Sequence, residues 1–242
     1  MSTAQLTTLS TYAAPDIADA LLKLDVPGAG FLADISPISP TTSKIIAPAS
    51  TVLFVSHSTT SFPAPSEGAL GGALGLISTT LAQPLPNVPA GVPYADLARE
   101  GKIMVISQPR GQKVAVVGGI MAERMVRLGA RGVVVDGRVR DLEVMRGLSV
   151  PVWSKGTSIV GSGGEAKAWA TDVPIQIDNT EVCPGDIVMI DPVERGAVCI
   201  PLKLLDKVLE LLPKLVGADE KVIKDVEGGM TVQEAFKLHR GK

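Results

Sequence analysis

Between Gly68 and Ala95 the chain carries no charged side chain, and no other stretch limits the possible folds so strongly. Such a run invites a membrane span. However, Pro84, Pro86, Pro89 and Pro93 interrupt its second half, and Gly71, Gly72 and Gly75 loosen its first. The unbroken part before Pro84 falls short of the roughly 20 apolar residues that a spanning helix needs. The wider stretch from Ile35 to Ala95 holds only Lys44 and Glu67 as charges and nine of the 18 prolines. Proline at that density predicts loops and edge strands. So little charge predicts coverage, either by the chain's own core or by another subunit.

The remaining chemistry narrows the class further. The 23 basic and 25 acidic residues leave a formal net charge of −2, which argues against a surface that tracks nucleic-acid phosphates. Hydrophobic residues make up 45% and mean hydropathy is +0.29, so a substantial core is expected. Aromatics are only 3%, so that core must be aliphatic and base-stacking platforms are not expected. Cys183 and Cys199 form no CxxC pair, and both read as small buried hydrophobes. Met1 to Tyr12 lacks the basic and apolar regions of a signal peptide, so a reducing, cytoplasmic location is the expectation.

The periodicities predict a mixed α/β body with a helical tail over residues 202–242, in a single domain covering 1–242. Ile17, Leu21 and Leu24 follow Pro15 at helical spacing, and Ile120 to Leu128 reads as a helix ended by Gly129. Ile45–Ile46, Val52–Val55, Ile103–Ile106, Val114–Val117, Ile175–Ile177 and Ile187–Ile190 read as strands. Val133-Val134-Val135 reads as a short buried strand stopped by Asp136-Gly137. From Leu204 to Leu215 runs a helical stripe expected to break near Gly217, followed by a second segment from Ala218 to Val226. Thr231 and Glu234 form a capping box for a terminal helix.

Several chemistries fail on the sequence. Gly161-Ser162-Gly163-Gly164 resembles a phosphate loop, but Ala166 stands at the third glycine position of a dinucleotide fingerprint. There is no Walker A Gly-Lys-Ser/Thr and no Gly-x-Ser-x-Gly elbow, and neither His57 nor His239 lies near a nucleophile motif. What remains is Gly118-Gly119-Ile120-Met121, followed by Val133 to Val135 and then Arg140-Asp141. A glycine pair before a helix exposes backbone N–H groups to an anion. Arg140 offers a planar fork for a carboxylate or a developing oxyanion, and Asp141 is a hard oxygen ligand suited to Mg²⁺. The same residues would also suit a surface ion pair beside a packing turn.

The run from Gly118 to Asp141 resembles the RraA-like family, which includes divalent-metal-dependent 4-hydroxy-4-methyl-2-oxoglutarate/4-carboxy-4-hydroxy-2-oxoadipate aldolases, many of them also oxaloacetate decarboxylases. Asp16 to Leu21, Pro48 to Val52, Pro151-Val152-Trp153 and Pro184 to Val188 resemble its other signatures. The resemblance implies a compact β/β/α sandwich of swivelling-domain topology, assembled as homotrimers or homohexamers. It also implies a class II, metal-dependent lyase acting on pyruvate-derived oxyacids through a stabilised enolate, by retro-aldol cleavage, decarboxylation or both. Carried over, Arg140 and Asp141 are the catalytic residues, and Gly118, Gly119, Ile120, Met121 and Arg140 hold the α-keto acid. Asp141 binds Mg²⁺ or Mn²⁺, completed by an acidic residue from a neighbouring subunit's C-terminal region, with Glu220 preferred over Asp219. No organic cofactor, nucleic acid or membrane is implied.

One departure stands out. Many bacterial members carry Asp or Glu where this chain has Gly119, which predicts that Gly119→Asp would raise aldol cleavage relative to decarboxylation. Two alternatives accompany the lyase reading. One is a non-catalytic regulator of an RNA-degrading enzyme, and the other is a lyase on a larger metabolite shaped by Ser61–Val92.

Overall fold

The computed structural model describes residues 2–60 and 84–241. Its first half contains α1 (Thr3–Ser10), α2 (Ala14–Lys23), β1 (Ser36–Pro37), β2 (Ile45–Ser56), β3 (Ile103–Ser107), β4 (Ala115–Val117), α3 (Gly119–Arg127) and β5 (Gly132–Val139). There follow α4 (Leu142–Arg146), β6 (Val152–Thr157), β7 (Ala166–Thr171), β8 (Ile175–Ile177), β9 (Thr180–Val182), β10 (Ile187–Asp191), β11 (Gly196–Ile200), α5 (Leu205–Glu227) and α6 (Val232–His239). This is the mixed α/β fold with a helical C-terminal tail that the sequence predicts. The charge-free segment lies largely outside the described residues, since 61–83 are not among them. Among the described residues no helix is long and apolar enough to cross a membrane.

The main sheet runs in the order β1-β6-β5-β3-β2-β10-β11, with β4 added to β5 and β7 to β2. Strands β2, β3, β5 and β6 are mutually parallel, and the remaining members of the path pair antiparallel. Central parallel strands must be apolar on both faces. Val133 and Val135 accordingly pack with Met104, Ile106 and Met125, whereas Val134 packs on the other face with Trp153, Val105 and Ile177. A third cluster joins Leu9, Ile17 and Leu21 to Val208, Leu212 and Met189, which fastens α1, α2 and α5 to the β10–β11 end.

Four local expectations are revised. Ile45–Ile46 and Val52–Val55 belong to one strand, β2, which runs straight through Pro48. The proline is tolerated because β2 changes partner there, with Pro48 ending the β10 register and Ala49 opening that of β3. Helix α5 does not break at Gly217 but continues to Glu227 through both Pro213 and Gly217. Burial of Leu205, Val208, Leu212 and Val222 along one face outweighs a glycine penalty of about 1 kcal/mol. Helix α1 was not legible, because its Ser/Thr-rich turns bury only Leu9. It forms from a capping box between Ser2 and Gln5, and Gln5 Nε2 donates to Asp206 Oδ1 of α5 at 2.9 Å.

The fourth revision bears on the site. Asp136-Gly137 does not stop β5, which extends to Val139 across a register shift between Val135 and Arg138. The gap is filled by Gln108. Its Oε1 accepts the Arg138 N–H at 2.9 Å, and its Nε2 donates to the Val114 carbonyl at 2.8 Å. Gly137 is required for this approach, since a Cβ there would stand 2.3 Å from Gln108 Oε1. Asp136 meanwhile pairs with Lys155 Nζ at 2.6 Å. Without this brace, β5 could not carry Arg140 and Asp141 to where they stand. Gly137→Ala is therefore expected to cost about 1–3 kcal/mol through two orphaned hydrogen bonds. Urea unfolding checks this, and an unshifted midpoint would refute the bracing role.

Candidate functional site

Three elements converge at the carboxyl end of β5. Strand β4 ends at Val117 and turns through Gly118 into α3, and β5 runs through Val139 into Arg140, Asp141 and α4. The Arg140 N–H donates to the Val117 carbonyl at 3.0 Å, so the two chain ends stay side by side. Strand β4 is itself held by Tyr94, whose buried hydroxyl donates to the Val116 carbonyl at 2.8 Å. Burial raises that phenol above its ordinary pKa, so it stays a neutral donor. Tyr94 also packs edge-on against Phe54, with centroids 5.1 Å apart. Sequence reasoning missed it, since a lone Tyr after Pro93 carries no local signal.

Gly118 is the N-cap of α3 and has no side chain with which to cap it. Asp141 supplies the acceptor instead, its Oδ2 taking the Gly119 N–H at 2.8 Å. A carboxylate at a helix N-terminus is also favoured by the helix dipole. Asp141 reaches this position from a left-handed conformation, φ 64° and ψ 50°. Among the described residues, five of the seven non-glycine residues with positive φ are aspartates, so the conformation alone does not mark function. Asp141 Oδ1 has no hydrogen-bond partner among the described residues, and the side chain is 45% exposed. Arg140 Nε lies 3.8 Å from Asp141 Oδ2.

The structure brings Gly118, Gly119, Ile120, Met121, Arg140 and Asp141 together, with changed duties among the amides. The Gly119 N–H is committed to Asp141, which leaves the first-turn N–H groups of Ile120 and Met121 without an acceptor among the described residues. Both glycines are enforced by packing rather than by backbone conformation. A Cβ on Gly118 would lie 2.9 Å from Asp141 Oδ2, and one on Gly119 would lie 2.9 Å from Val144 Cγ1. The failed phosphate loop also finds a place here. Gly161 packs beneath the guanidinium of Arg140, where a Cβ would stand 3.1 Å from Nη1. Its signal, a glycine-rich loop, was visible, but its partner was not.

Glu220 does not join this group within one chain. It is exposed on α5 and lines no part of the open cleft beside Asp141, which Gly119, Ile120, Glu123, Arg124, Arg127 and Val144 form. Asp219 is engaged by Arg240, whose Nε donates to its Oδ1 at 2.7 Å. No group of three or more His, Cys, Asp or Glu able to hold a metal occurs among the described residues. Beside Arg140, Asp141 offers one hard carboxylate oxygen without a hydrogen-bond partner among the described residues. That suits Mg²⁺ or Mn²⁺, which take few protein carboxylates and keep several waters.

Protein DlpA of Legionella pneumophila is 25% identical over 142 residues, which cover 59% of this chain and 23% of DlpA. The 4-hydroxy-4-methyl-2-oxoglutarate aldolase of Thermus thermophilus is 30% identical over 101 residues, 42% of this chain and 60% of the relative. The chain thus spans less than two thirds of the length of these curated relatives. In fold, an uncharacterized protein from Pseudomonas syringae superposes with a TM-score of 0.70 at 21% identity, covering 97% of this chain and 98% of that one. RraAS2 of Streptomyces coelicolor, described as an unusual member of the RNase ES inhibitor RraA protein family, gives 0.68 at 23% identity, covering 90% and 96%. The family model described as RraA-like, aldolase/RraA, matches residues 14–198, and the chain belongs to that family.

Proposed function

We propose that the chain is a divalent-metal-dependent carbon–carbon lyase that releases pyruvate from 2-oxo acids, among which 4-hydroxy-4-methyl-2-oxoglutarate and oxaloacetate are the family's reference compounds. The observation that supports this most is Asp141, which caps α3 with one carboxylate oxygen and keeps the other free beside Arg140. Mg²⁺ or Mn²⁺ held by Asp141 would supply Lewis acidity at the carbonyl end of the substrate. The free amides of Ile120 and Met121 at the N-terminus of α3 bind the substrate carboxylate. The Arg140 guanidinium, propped by Gly161, stabilises the negative charge that develops on the 2-oxo oxygen.

In retro-aldol cleavage the C3–C4 bond breaks and its electron pair passes to C3 as the pyruvate enolate. The C4 hydroxyl loses its proton and becomes a carbonyl, and C3 is then protonated from solvent. Among the described residues no His or Lys lines the cleft, and in this proposal the hydroxyl proton leaves to water. Decarboxylation needs only the enolate half of this chemistry. A second copy of the chain bringing Glu220 toward Asp141 is part of the same proposal, and a fully active monomer in sedimentation would remove that part.

The double role of Asp141 decides which variants are informative. Asp141→Ala removes the cap as well as the ligand and should lower stability by about 1 kcal/mol. Asp141→Asn keeps an acceptor for the Gly119 N–H, so its urea midpoint should stay near wild type while metal-dependent pyruvate release is lost. Undiminished release by Asp141→Asn in saturating Mg²⁺ would overturn the assignment. Arg140→Lys, which keeps the charge and loses the fork, should reduce kcat by about tenfold or more.

The contact geometry reverses one expectation from the sequence. A side chain at position 119 would collide with Val144 and with Asp141 itself, so Gly119→Asp should impair both cleavage and decarboxylation. Higher aldolase activity in Gly119→Asp would show that the helix start gives way more easily than its packing implies.

A further inference from the structure

Beside Asp141 the substrate cleft turns apolar. Ile120, in the first turn of α3, is 80% exposed, and Val144 of α4 is exposed across from Gly119. Ile159 and Val160, the two residues before the Gly161 that props Arg140, are also exposed, Ile159 to 94%. Two large aliphatic side chains therefore line the cleft beside Asp141, and two more precede the glycine that packs under Arg140, where a lone exposed aliphatic would need no explanation.

The arginines that line the outer part of this cleft stand in exposed ion pairs. Arg124 Nε donates to Asp96 Oδ1, and Arg127 Nε donates to Glu123 Oε1 at 2.8 Å. Both also lie farther along the helix, about 7 and 12 Å from Gly119 at 1.5 Å rise per residue. Arg138, on β5 itself, donates to the Thr157 carbonyl at 2.8 Å. Residues 61–83 contain no Lys, Arg or His, so that segment brings no cation to the site wherever it lies. Arg140, whose Nε lies 3.8 Å from Asp141 Oδ2, stands beside the proposed metal ligand, and the proposed reaction employs it at the pyruvate end.

We infer that the substrate of this site is a monocarboxylic 4-hydroxy-2-oxo acid whose distal fragment is uncharged and aliphatic, so that an aldehyde or ketone leaves rather than a second oxo acid. The inference rests on the lyase reading above and narrows it. The amides of Ile120 and Met121 take one carboxylate, and Arg140 faces the 2-oxo oxygen. A second carboxylate, at C5 of a glutarate skeleton, would be pressed against Ile120 and Val144 with its hydration reduced, while Arg124 and Arg127 farther along the cleft are already paired with Asp96 and Glu123. An alkyl group at the same place would bury apolar surface. The reaction balances as before. The C3–C4 pair moves to C3, the C4 hydroxyl gives up its proton, and pyruvate and a ketone or aldehyde are released.

Two substrates that differ only at C5 test this directly. They are 4-hydroxy-4-methyl-2-oxoglutarate and 4-hydroxy-4-methyl-2-oxopentanoate, in which a methyl group replaces the distal carboxylate. Pyruvate release is measured for the full chain with Mn²⁺. The expected result is a kcat/KM about tenfold or more higher for the pentanoate, with the difference mainly in KM. Val144→Lys should shift the ratio back toward the glutarate by placing a cation on the rim. An equal or higher kcat/KM for the glutarate in the wild type would overturn the inference and leave the lyase reading standing. No pyruvate from either compound, while Asp141→Asn and wild type are equally folded, would overturn both.

Discussion

The hydrogen bond from the Gly119 N–H to Asp141 Oδ2 fixes everything else at the site. It joins the start of α3 to the end of β5, two segments brought together by the sheet and by no local turn. Its strength must offset a left-handed backbone at Asp141, a cost of about 1–3 kcal/mol. A hydrogen bond to a charged acceptor contributes about 1.5–3 kcal/mol, with a further fraction from the helix dipole, so the arrangement is near balance. The packing of Gly118 and Gly119 against Asp141 and Val144 then tips it. The outcome is a carboxylate with one oxygen spent on structure and the other free for chemistry.

The apparatus that holds this bond in place is spread across the chain. Gln108 fills the β5 bulge, Tyr94 pins β4, and Gly161 admits the Arg140 guanidinium. None of these lines the cleft beside Asp141, yet each sets the position of an element or side chain at the site. The sheet supplies the frame, because β3, β5 and β6 are parallel and place Arg140 and Asp141 beyond their carboxyl ends, where open α/β sheets bind ligands.

The sequence displayed some of this plainly. The glycine pair before a periodic helix, the Val133–Val135 run and the Arg140-Asp141 pair carry local signals of turn, burial and charge. What stayed hidden depended on partners distant in sequence. Asp136-Gly137 resembles a strand stop because a bulge and a turn share composition, and only Gln108 distinguishes them. Gly217 resembles a helix end because propensity is local, whereas the burial of Val208, Leu212 and Val222 is tertiary. The duty of the Gly119 amide could not be read at all, since Asp141 caps α3 from outside that helix.

The central claim is that Asp141 has an oxygen free for a divalent ion beside a bound oxyacid. Its most direct test is Mn²⁺ binding in the presence of oxalate, a planar mimic of the pyruvate enolate, followed by the electron paramagnetic resonance signal of free Mn²⁺. Wild type should deplete that signal, and oxalate should tighten the uptake. Asp141→Asn, folded to the same urea midpoint, should leave the signal undiminished. Equal Mn²⁺ uptake by the two proteins would contradict the account and reduce Asp141 to a helix cap.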